Sequence, residues 1–390
     1  MISVAEALEA VLALGAPLDI EEVDLAEADG RILAQDVQAN RDQPPFAASA
    51  MDGYAVPSTD IKPGDTFKVI GEAAAGHRFD RSVSAGEAVR IFTGAPLPDG
   101  AHRVVIQEDT TREGDVITLT DPLDSGHHIR PAGGDFKRGD KMESPRLLSP
   151  ADIALLASMN IARVPVRRRP VVAIIATGDE LVSVGETPRD DQIIASNSLG
   201  LAAMFRRAGA ETRVLPIAKD TVSSLEMALT LSEGADLLVT IGGASVGDYD
   251  IVAEVASGVG LEREFYKVAM RPGKPLMAGR IGDRAMVGLP GNPVSSMVCG
   301  EIFILPLLSK FLGMPSGPRA RIEMPLQGAL SKNGPREHYM RGVITNGAVS
   351  VARRQDSSLL TVLAQANALV VRPPHAPACD SGDVVEVIPL

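Results

Sequence analysis

The sequence has no tryptophan, only 3% aromatic residues and two cysteines in 390 residues. So few aromatic side chains argue against the stacking platforms that bind single-stranded nucleic acids. Cys299 and Cys379 lie far apart without a paired spacing, which indicates a reducing compartment and argues against a zinc site. The net charge of −12 disfavours general binding to nucleic acids or anionic membranes. An anionic ligand would therefore need a local cluster of basic side chains.

Long apolar runs and a leader sequence are also missing. No window is a clean run of about 18 apolar residues, so we predict no membrane span. The N-terminus has neither a basic region nor an apolar core typical of secretory signals, and we predict a cytoplasmic protein. At 390 residues the chain is long enough for several domains, each with its own core.

Local patterns indicate β structure on both sides of an α/β region. A helix is predicted over residues 3–14, with Ser3 and Glu6 as a capping box. Short strands at turn-like spacing over residues 56–140 predict a small antiparallel β domain. A second helix follows Ser149 as its cap. Recurring Pro, Gly and alternating segments from residue 317 onward predict a second small β domain.

Between these regions, strands and helices alternate, which predicts a doubly wound, mostly parallel sheet. We expect Asp220 to cap the helix that ends at Leu231, and Asn292 to cap a helix with Pro293 in its first position. The predicted strands are residues 171–176, 212–217, 237–241, 263–268, 275–278 and 285–288.

Four polar loops each follow a predicted strand, and the carboxyl ends of parallel strands are where such sheets bind ligands. The loops are residues 177–180, Asp220 with Thr221, residues 242–250 and residues 290–296. A cationic stretch, residues 267–274, lies between the last two. Glycines and helix starts suit an anion, and carboxylates suit magnesium. Together they predict a site for a polyanion with magnesium.

Each of these residues also has a purely structural interpretation. Asp220 and Asp250 could be helix caps, and the basic side chains could be ordinary surface charges. Residues 243–247 fit the G-x-S-x-G pattern of a hydrolase nucleophile, but His338 and His375 lie outside the predicted sheet. Two acids directly after that serine would also repel an oxyanion, so a hydrolase is disfavoured.

Seven motifs in one order make the chain resemble the MoeA/gephyrin E-domain family of molybdopterin molybdenumtransferases. No single motif is decisive, and the resemblance covers essentially the whole chain. The motifs span residues 49–55, 92–98, 130–135, 177–181, 242–250, 271–275 and 289–295.

The resemblance implies a fold of four domains and a homodimer. The implied domains are an elongated helical and linker domain (residues 1–47 and 141–168), a small β domain (48–140), an α/β domain (169–316) and a barrel-like β domain (317–390). The α/β domain is similar to that of the partner adenylyltransferase. The segment at residues 44–55, which on composition alone is equally compatible with a domain linker, gains a function under this resemblance.

The implied activity is a step of molybdenum cofactor synthesis. Family members take molybdate and adenylylated molybdopterin as substrates, insert molybdenum, cleave the pyrophosphate and release AMP, and they require Mg²⁺. The molybdopterin adenylyltransferase and molybdoenzyme apoproteins or their chaperones are possible partners. Nucleic acid and membrane are not expected.

The resemblance also carries site residues. Asp52, Thr93 and Arg130 would reach the cleft of a partner subunit, with Asp52, Thr93, Glu180, Asp220 and Asp250 as catalytic residues. Glu180, Asp220 and Asp250 would hold the metal. The predicted substrate-binding residues are Arg130, Ser245, Lys267, Arg271, Lys274, Ser295, Arg341 and Ser358. Arg271 stands where lysine is common in the family, which replaces a point charge with a planar fork.

Two alternatives remain open at this point. One is an adenylyltransferase of the same pathway, which has a similar α/β domain but lacks the flanking β domains. The other is a non-catalytic, gephyrin-like scaffold, against which the intact acidic and cationic sets argue. We expect no covalent intermediate on Ser245.

Overall fold

The computed structural model describes residues 1–243, 251–258 and 260–390. This part of the chain forms two compact units. The first comprises Met1–Glu21, Gly30–Ala34 and Val166–Leu390, and the second comprises Glu22–Asp29 and Gln35–Pro165. The division is coarser than the four predicted domains, whose boundaries stay a prediction.

A six-stranded sheet forms the centre of the first unit. Its strands are β1 (Val171–Ala176), β2 (Glu211–Val214), β3 (Leu237–Ile241), β4 (Leu261–Lys267), β5 (Pro275–Ile281) and β6 (Arg284–Leu289). All six lie within a few residues of the predicted strands, and β1 and β3 match them at both ends.

The sheet is mixed, in the order β2-β1-β3-β6-β5-β4. Strands β2, β1, β3 and β6 are parallel, whereas β5 pairs antiparallel with both β6 and β4. Direction therefore alternates twice from β6 to β4, and β4 ends at the same edge as the parallel strands. This edge, where β1, β3, β4 and β6 all end, is called the carboxyl edge below.

Both faces of the sheet are buried, as alternation along β1 shows. Val172 and Ile174 belong to one apolar cluster, and Ala173 and Ile175 belong to another. The first cluster includes side chains of helices Val4–Ala13, Asn197–Arg207, Pro293–Cys299 and Leu305–Phe311. The second includes side chains of Val222–Leu231 and Ile251–Gly258. Helices on both faces are the arrangement that the predicted doubly wound sheet requires.

One helical stretch, Pro293–Phe311, is long and apolar enough to cross a membrane by length and composition alone. It contains a π-helical turn at Gly300–Ile304. However, 78% of its most apolar 18-residue segment is buried inside the protein. A helix in the core of a protein meets the same criteria of length and composition.

The C-terminal part of the first unit forms a second six-stranded sheet. Because Glu337–Thr345 pairs with both Ala348–Val351 and Ala368–Arg372, five of its strands close into a ring. Met270–Arg271 adds to Glu337–Thr345 as a sixth, parallel strand. The other two strands are Ile322–Gln327 and Val384–Pro389, and a short helix spans Leu360–Gln365.

The second unit contains a further six-stranded sheet, which corrects one prediction. Its strands, in spatial order, are Arg103–Ile106, Gly53–Val56, Glu87–Ile91, Thr66–Ala73, Val116–Leu119 and Thr110–Glu113. The prediction of an antiparallel domain is wrong for one pair, since Thr66–Ala73 and Glu87–Ile91 are parallel. Residues 74–86 between them are long enough for a crossover instead of a hairpin.

The remaining elements are short. The 3₁₀ turns are Leu25–Glu27 and Gln107–Asp109. The strands are Ile20–Asp24, Ile32–Leu33, Val37–Gln38, Ala48–Ser49, Ile129–Arg130, Lys141–Met142, Arg146–Leu147, Arg163–Arg167, Leu181–Val182 and Ile193–Ile194.

Most predicted helix starts are confirmed. Ser3 and Glu6 form a reciprocal capping box, and Ser149 caps the helix Pro150–Ser158. The predicted cap at Asp220 is wrong, because Thr221 is the N-cap and its hydroxyl accepts the Ser224 N–H. Asp220 lies one residue earlier, and its carboxylate is therefore not committed to the helix.

The cap at Ser149 is tied to an ion pair in which the Asp152 carboxylate is buried and Arg146 is exposed. The Asp152 carboxylate is only 7% exposed and accepts from Arg146 Nη2 at 2.7 Å and from Ser149 Oγ at 2.7 Å. Hydrogen bonding from Arg146 lowers the pKa of Asp152 to about 2, against the opposing effect of burial. This contribution to stability is present above the ordinary pKa of an aspartate and is lost as the pH falls towards 2.

Replacing Asp152 with alanine should destabilise the second unit by about 2 kcal/mol at neutral pH, because a helix cap and a charge-assisted hydrogen bond are lost together. Urea unfolding followed by circular dichroism measures the change. Asp99→Ala, at an exposed position of the same unit, is the matched control. Equal stability of the two variants would contradict the assignment.

Candidate active site

Backbone hydrogen bonds join the ends of the parallel strands at the carboxyl edge. They run from Thr177 N to Ile241 O (2.9 Å), from Gly178 N to Ala218 O (3.1 Å) and from Gly242 N to Leu289 O (3.1 Å). The loops after four strands therefore start from fixed positions side by side. The sequence predicts this convergence for the loops that follow β1, β2, β3 and β6.

Gly242 lies at the centre of this edge and needs to be glycine. Its φ is +89°, a left-handed conformation that other residues adopt with strain. A Cβ atom there would lie 2.7 Å from the carbonyl oxygen of Thr177. The strand ends are thus in close contact, and position 242 has no room for a side chain.

A pocket of about 780 Å³ opens above these strand ends. Its walls come from the segments 193–198 and 290–293 and from Ser358. Asn197 links the first two walls by donating from Nδ2 to the Gly291 carbonyl at 2.7 Å. Among the described lining residues, the charged ones are Glu180 and Asp220. The pocket is therefore electronegative.

Partial burial and neighbouring carboxylates raise the proton affinity of Asp220. Partial burial of the carboxylate is the main cause of a raised pKa at Asp220, followed by repulsion from Asp179 and Glu180. The backbone N–H of Asp220 also donates to Asp179 Oδ1 at 3.3 Å. Carboxylates crowded in this way favour a bound cation, since the cation offsets their repulsion.

Asp250 and Ser245 lie outside the described residues, so the third predicted metal ligand and the predicted serine donor have no geometry here. Across residues 1–243, 251–258 and 260–390, no group of three or more His, Cys, Asp and Glu side chains has an arrangement suited to a metal. Glu180 and Asp220 remain the described carboxylates that share the pocket.

The basic residues lie next to the pocket. Lys267 ends β4 and pairs with Pro275, the first residue of β5, so the loop between them lies at the carboxyl edge. Val268 N donates to Lys274 O at 3.1 Å and closes this loop. Arg271 and Lys274 are exposed on it. Pro275 also lines the pocket, which makes it the junction between the acidic and basic regions.

The C-terminal sheet adds further cations beside Arg271. Arg271 pairs in register with His338, which in turn pairs with Arg372. Burial lowers the pKa of His338 to about 4, with Arg271, Arg341, Arg336 and Arg372 adding to the effect in that order. His338 is therefore neutral near pH 7, and the surrounding guanidinium groups give the region a net positive charge.

Arg341 is fully buried, with Nε and Nη1 lacking hydrogen-bond partners among the described residues. Its Nη2 donates to the Asp356 carbonyl at 2.9 Å, and the Asp356 carboxylate accepts from Ser358 Oγ at 2.6 Å. Ser358 lines the pocket, so this short chain of contacts connects the buried arginine to the pocket wall. Buried donors without acceptors are costly and suit an anion site.

Ser295 is placed differently. It lies within the helix Pro293–Cys299 and is 3% exposed, and the structure does not bring it into the pocket lining. Asn292 precedes that helix as predicted, although its side chain makes no capping hydrogen bond.

The other predicted residues form a group of their own in the second unit. Asp52 Oδ1 accepts both from Thr93 N and from Thr93 Oγ1, each at 2.8 Å. Arg130 pairs with Ala48 on the adjacent short strand, and Ser49 accepts the Gly94 N–H through its carbonyl at 2.9 Å. Asp52, Thr93 and Arg130 therefore come from three segments that are hydrogen-bonded to one another.

Three basic or polar side chains of the cationic region are absent from the sequence predictions as ligand groups: Arg336, His338 and Arg372. These residues could be predicted only from the strand register that places Arg271 beside His338. No local sequence pattern reveals that register.

Comparisons with known proteins match the chain in three consecutive parts. Residues 2–160 match the family described as MoeA N-terminal region (domain I and II). Residues 173–310 match a probable molybdopterin binding domain, and residues 323–390 match the MoeA C-terminal region (domain IV).

Full-length relatives show the same similarity. A protein of Nostoc sp. (strain PCC 7120) named molybdopterin molybdenumtransferase is 36% identical, over 95% of this chain and 89% of that protein. A protein of the same name from Haemophilus influenzae is 33% identical, over 96% of this chain and 95% of that protein. A solved molybdopterin biosynthesis MoeA protein from Pyrococcus horikosii is 29% identical with a TM-score of 0.86, covering 100% of this chain and 99% of that one.

The raised pKa of Asp220 predicts that this carboxylate destabilises the metal-free fold. Because the folded chain binds its proton more tightly than the unfolded chain, folding becomes less favourable as the pH rises through the two pKa values. Asp220→Asn should therefore melt at a higher temperature than the wild type at about pH 7, with the difference shrinking towards about pH 4.

Thermal melting with a chelator present measures this effect. Asp191→Asn is the control, since Arg189 holds the pKa of Asp191 below its ordinary range and its loss should not stabilise the fold. A lower melting temperature for Asp220→Asn at neutral pH would contradict the prediction.

Proposed function

Because the chain belongs to the MoeA family of molybdopterin molybdenumtransferases, which act in molybdenum cofactor biosynthesis, we propose that it inserts molybdenum from molybdate into adenylylated molybdopterin. Pyrophosphate cleavage and release of AMP accompany the insertion, and the reaction depends on magnesium. The substrates are then an adenylylated pterin with a charged diphosphate and a tetrahedral oxyanion.

The observation that carries this proposal is the contact between an acidic pocket and a cationic region at one sheet edge. Glu180 and Asp220 line the pocket, whereas Arg271 and Lys274 lie on the loop that meets it at Pro275. A diphosphate needs a cation that carboxylates can hold, and an oxyanion needs basic side chains. Two neighbouring regions of opposite charge meet both needs.

The acidic pocket fits a magnesium ion, since partial burial and then repulsion from Asp179 and Glu180 raise the pKa of Asp220, and a bound cation would offset both effects. Glu180 and Asp220, together with Asp250, are the residues proposed to hold it. When bound, the ion supplies neutralisation of phosphate oxygens during cleavage of the diphosphate. The glycine-rich strand end at Gly242 presents main chain to the substrate, which permits close approach of a phosphate group.

The cationic region is proposed to bind molybdate. Arg271, Lys274 and Arg341 supply charge, and Ser358 supplies a hydroxyl at the boundary with the pocket. Lys267, Ser295 and Ser245 complete the proposed substrate-binding set. Arg341 donates a hydrogen bond to the Asp356 carbonyl, so its guanidinium has little conformational freedom to lose on binding.

The residues of the second unit are proposed to take part as well. Thr93 donates two hydrogen bonds to Asp52, which lower the pKa of that carboxyl. Asp52 is therefore an anion across the neutral range and can orient a donor group of a substrate or a water molecule. Arg130 contributes a positive charge nearby.

A magnesium-dependent assay of AMP release tests the proposal. The purified protein is incubated with adenylylated molybdopterin and Mg²⁺, with and without molybdate. Release of AMP that depends on molybdate supports it. Formation of the adenylylated form from ATP would instead identify an adenylyltransferase, and absence of both activities would identify a scaffold.

In that assay, Glu180→Gln and Asp220→Asn should each lower the rate by roughly 100-fold, because each removes a charge that positions the cation and the diphosphate. Asp283→Asn is the matched control. It removes an exposed carboxylate from the turn between β5 and β6, at the opposite edge of the sheet, and should change the rate by less than about twofold. Equal effects of all three substitutions would reject the assignment.

A homodimer and a cytoplasmic location are part of the proposal, as are contacts with the molybdopterin adenylyltransferase and with molybdoenzyme apoproteins or their chaperones. The resemblance implies that Asp52 and Asp220 act in one cleft from different chains. A doubly tagged mixed dimer of Asp52→Asn and Asp220→Asn chains should then recover about half of the wild-type rate, since one of its two clefts is intact.

The same mixed dimer gives the opposite result if both residues act within one chain. In that case each chain carries a defect, and the rate should match that of the single-variant dimers. Size-exclusion chromatography with light scattering checks that the dimer forms at all.

A further inference from the structure

Asp52 and Thr93 are joined by two hydrogen bonds, yet they lie on segments more than forty residues apart. Asp52 directly precedes the strand Gly53–Val56, and Thr93 follows the strand Glu87–Ile91. These strands pair antiparallel, with Tyr54 opposite Arg90. Arg90 therefore stands beside the point where the two segments meet.

The Arg90 guanidinium lies between two aromatic rings. Its central carbon is 5.0 Å from the centroid of the Tyr54 ring and 4.8 Å from that of the Phe92 ring. Tyr54 follows Asp52 by two residues, and Phe92 directly precedes Thr93. A planar cation between two rings holds both segments by stacking, which a lysine reproduces poorly.

Hydrogen bonds from the same guanidinium reinforce this arrangement. Arg90 Nη1 donates to the Gly53 carbonyl at 3.2 Å, and Nη2 donates to Gln107 Oε1 at 2.7 Å. Gln107 N in turn donates to the Asp52 carbonyl at 3.0 Å. Arg90 thus contacts Gly53, which follows Asp52, and Phe92, which precedes Thr93.

Gly53 leaves the backbone little room to compensate. A Cβ atom at this position would clash with the Val105 backbone on the neighbouring strand. The sheet therefore fixes the backbone next to Asp52. The remaining freedom of Asp52 is rotation of its side chain towards Thr93.

We propose that Arg90 is the positioning residue for Asp52 and Thr93, holding the two side chains in one fixed pair that acts on the substrate. The inference rests on the proposed function for the role of that pair. Arg90 itself acts through its neighbours and does not contact substrate. Its positive charge also contributes to the low pKa of Asp52, after the larger effect of the Thr93 hydrogen bonds.

The test compares Arg90→Lys and Arg90→Met with Asp52→Asn in the AMP-release assay. We expect both Arg90 variants to lower kcat on the order of 10-fold or more with little change in KM for molybdate, because the catalytic pair is displaced and the oxyanion site is not. In an Asp52→Asn background, the same Arg90 substitutions should have no further effect, since their target is already lost.

Arg81→Lys is the matched control. Arg81 also stacks on a ring, that of Phe79 at 5.7 Å, but in a different part of the same unit. It should leave kcat unchanged. A full effect of Arg90→Met in the Asp52→Asn background would overturn the proposal, because it would show that Arg90 acts independently of the pair.

A second readout does not use turnover. Titration of ¹³C-labelled aspartate carboxyls by NMR, with Asp52 assigned by its loss in Asp52→Asn, should show a higher pKa for Asp52 in Arg90→Met than in the wild type. An unchanged titration together with normal melting would overturn the proposal. If the wild type releases no AMP with molybdate, the proposed function fails, while this titration still decides the role of Arg90.

Discussion

Hydrogen bonds between the ends of four parallel strands set the position of the loops that carry the acidic side of the pocket. Thr177, Gly178 and Gly242 each donate a backbone N–H to the next strand end, so the loops that carry Glu180 and Asp220 start from neighbouring points. Apolar side chains on both faces of the sheet hold these strands in place. The site depends on this edge because its two described carboxylates, Glu180 and Asp220, lie on loops that follow the parallel strands.

Charge is divided at this edge in a way that the net charge of the chain makes necessary. With −12 overall, the protein attracts cations in general and must concentrate positive charge to bind an anion. It does so by bringing the loop after β4 against the C-terminal ring, where Arg271 and His338 are in register. His338 stays neutral there, since burial and the nearby arginines lower its pKa to about 4. Because the imidazole is unprotonated near neutral pH, it adds no positive charge that would repel the nearby arginines.

Local features were predictable from the sequence, and long-range pairings were not. The capping box of Ser3 and Glu6 and the strands β1 and β3 follow from short patterns, and so does the convergence of Glu180, Asp220 and Gly242 on one edge. The parallel pair in the second unit and the register of Arg271 with His338 depend on which strands meet. Asp220 shows a finer limit, because both Asp220 and Thr221 have the chemistry of a cap and only the backbone conformation distinguishes them.

The bare main chain at Gly242 also bears on how such a pocket can change over time. With the Thr177 carbonyl so close, a side chain at position 242 has no space, and the floor is closed to substitution. The walls, at segments such as 193–198 and 290–293, carry side chains that a substitution can exchange without this steric conflict. A change in substrate preference that arises in the walls would leave the backbone at position 242 as it is.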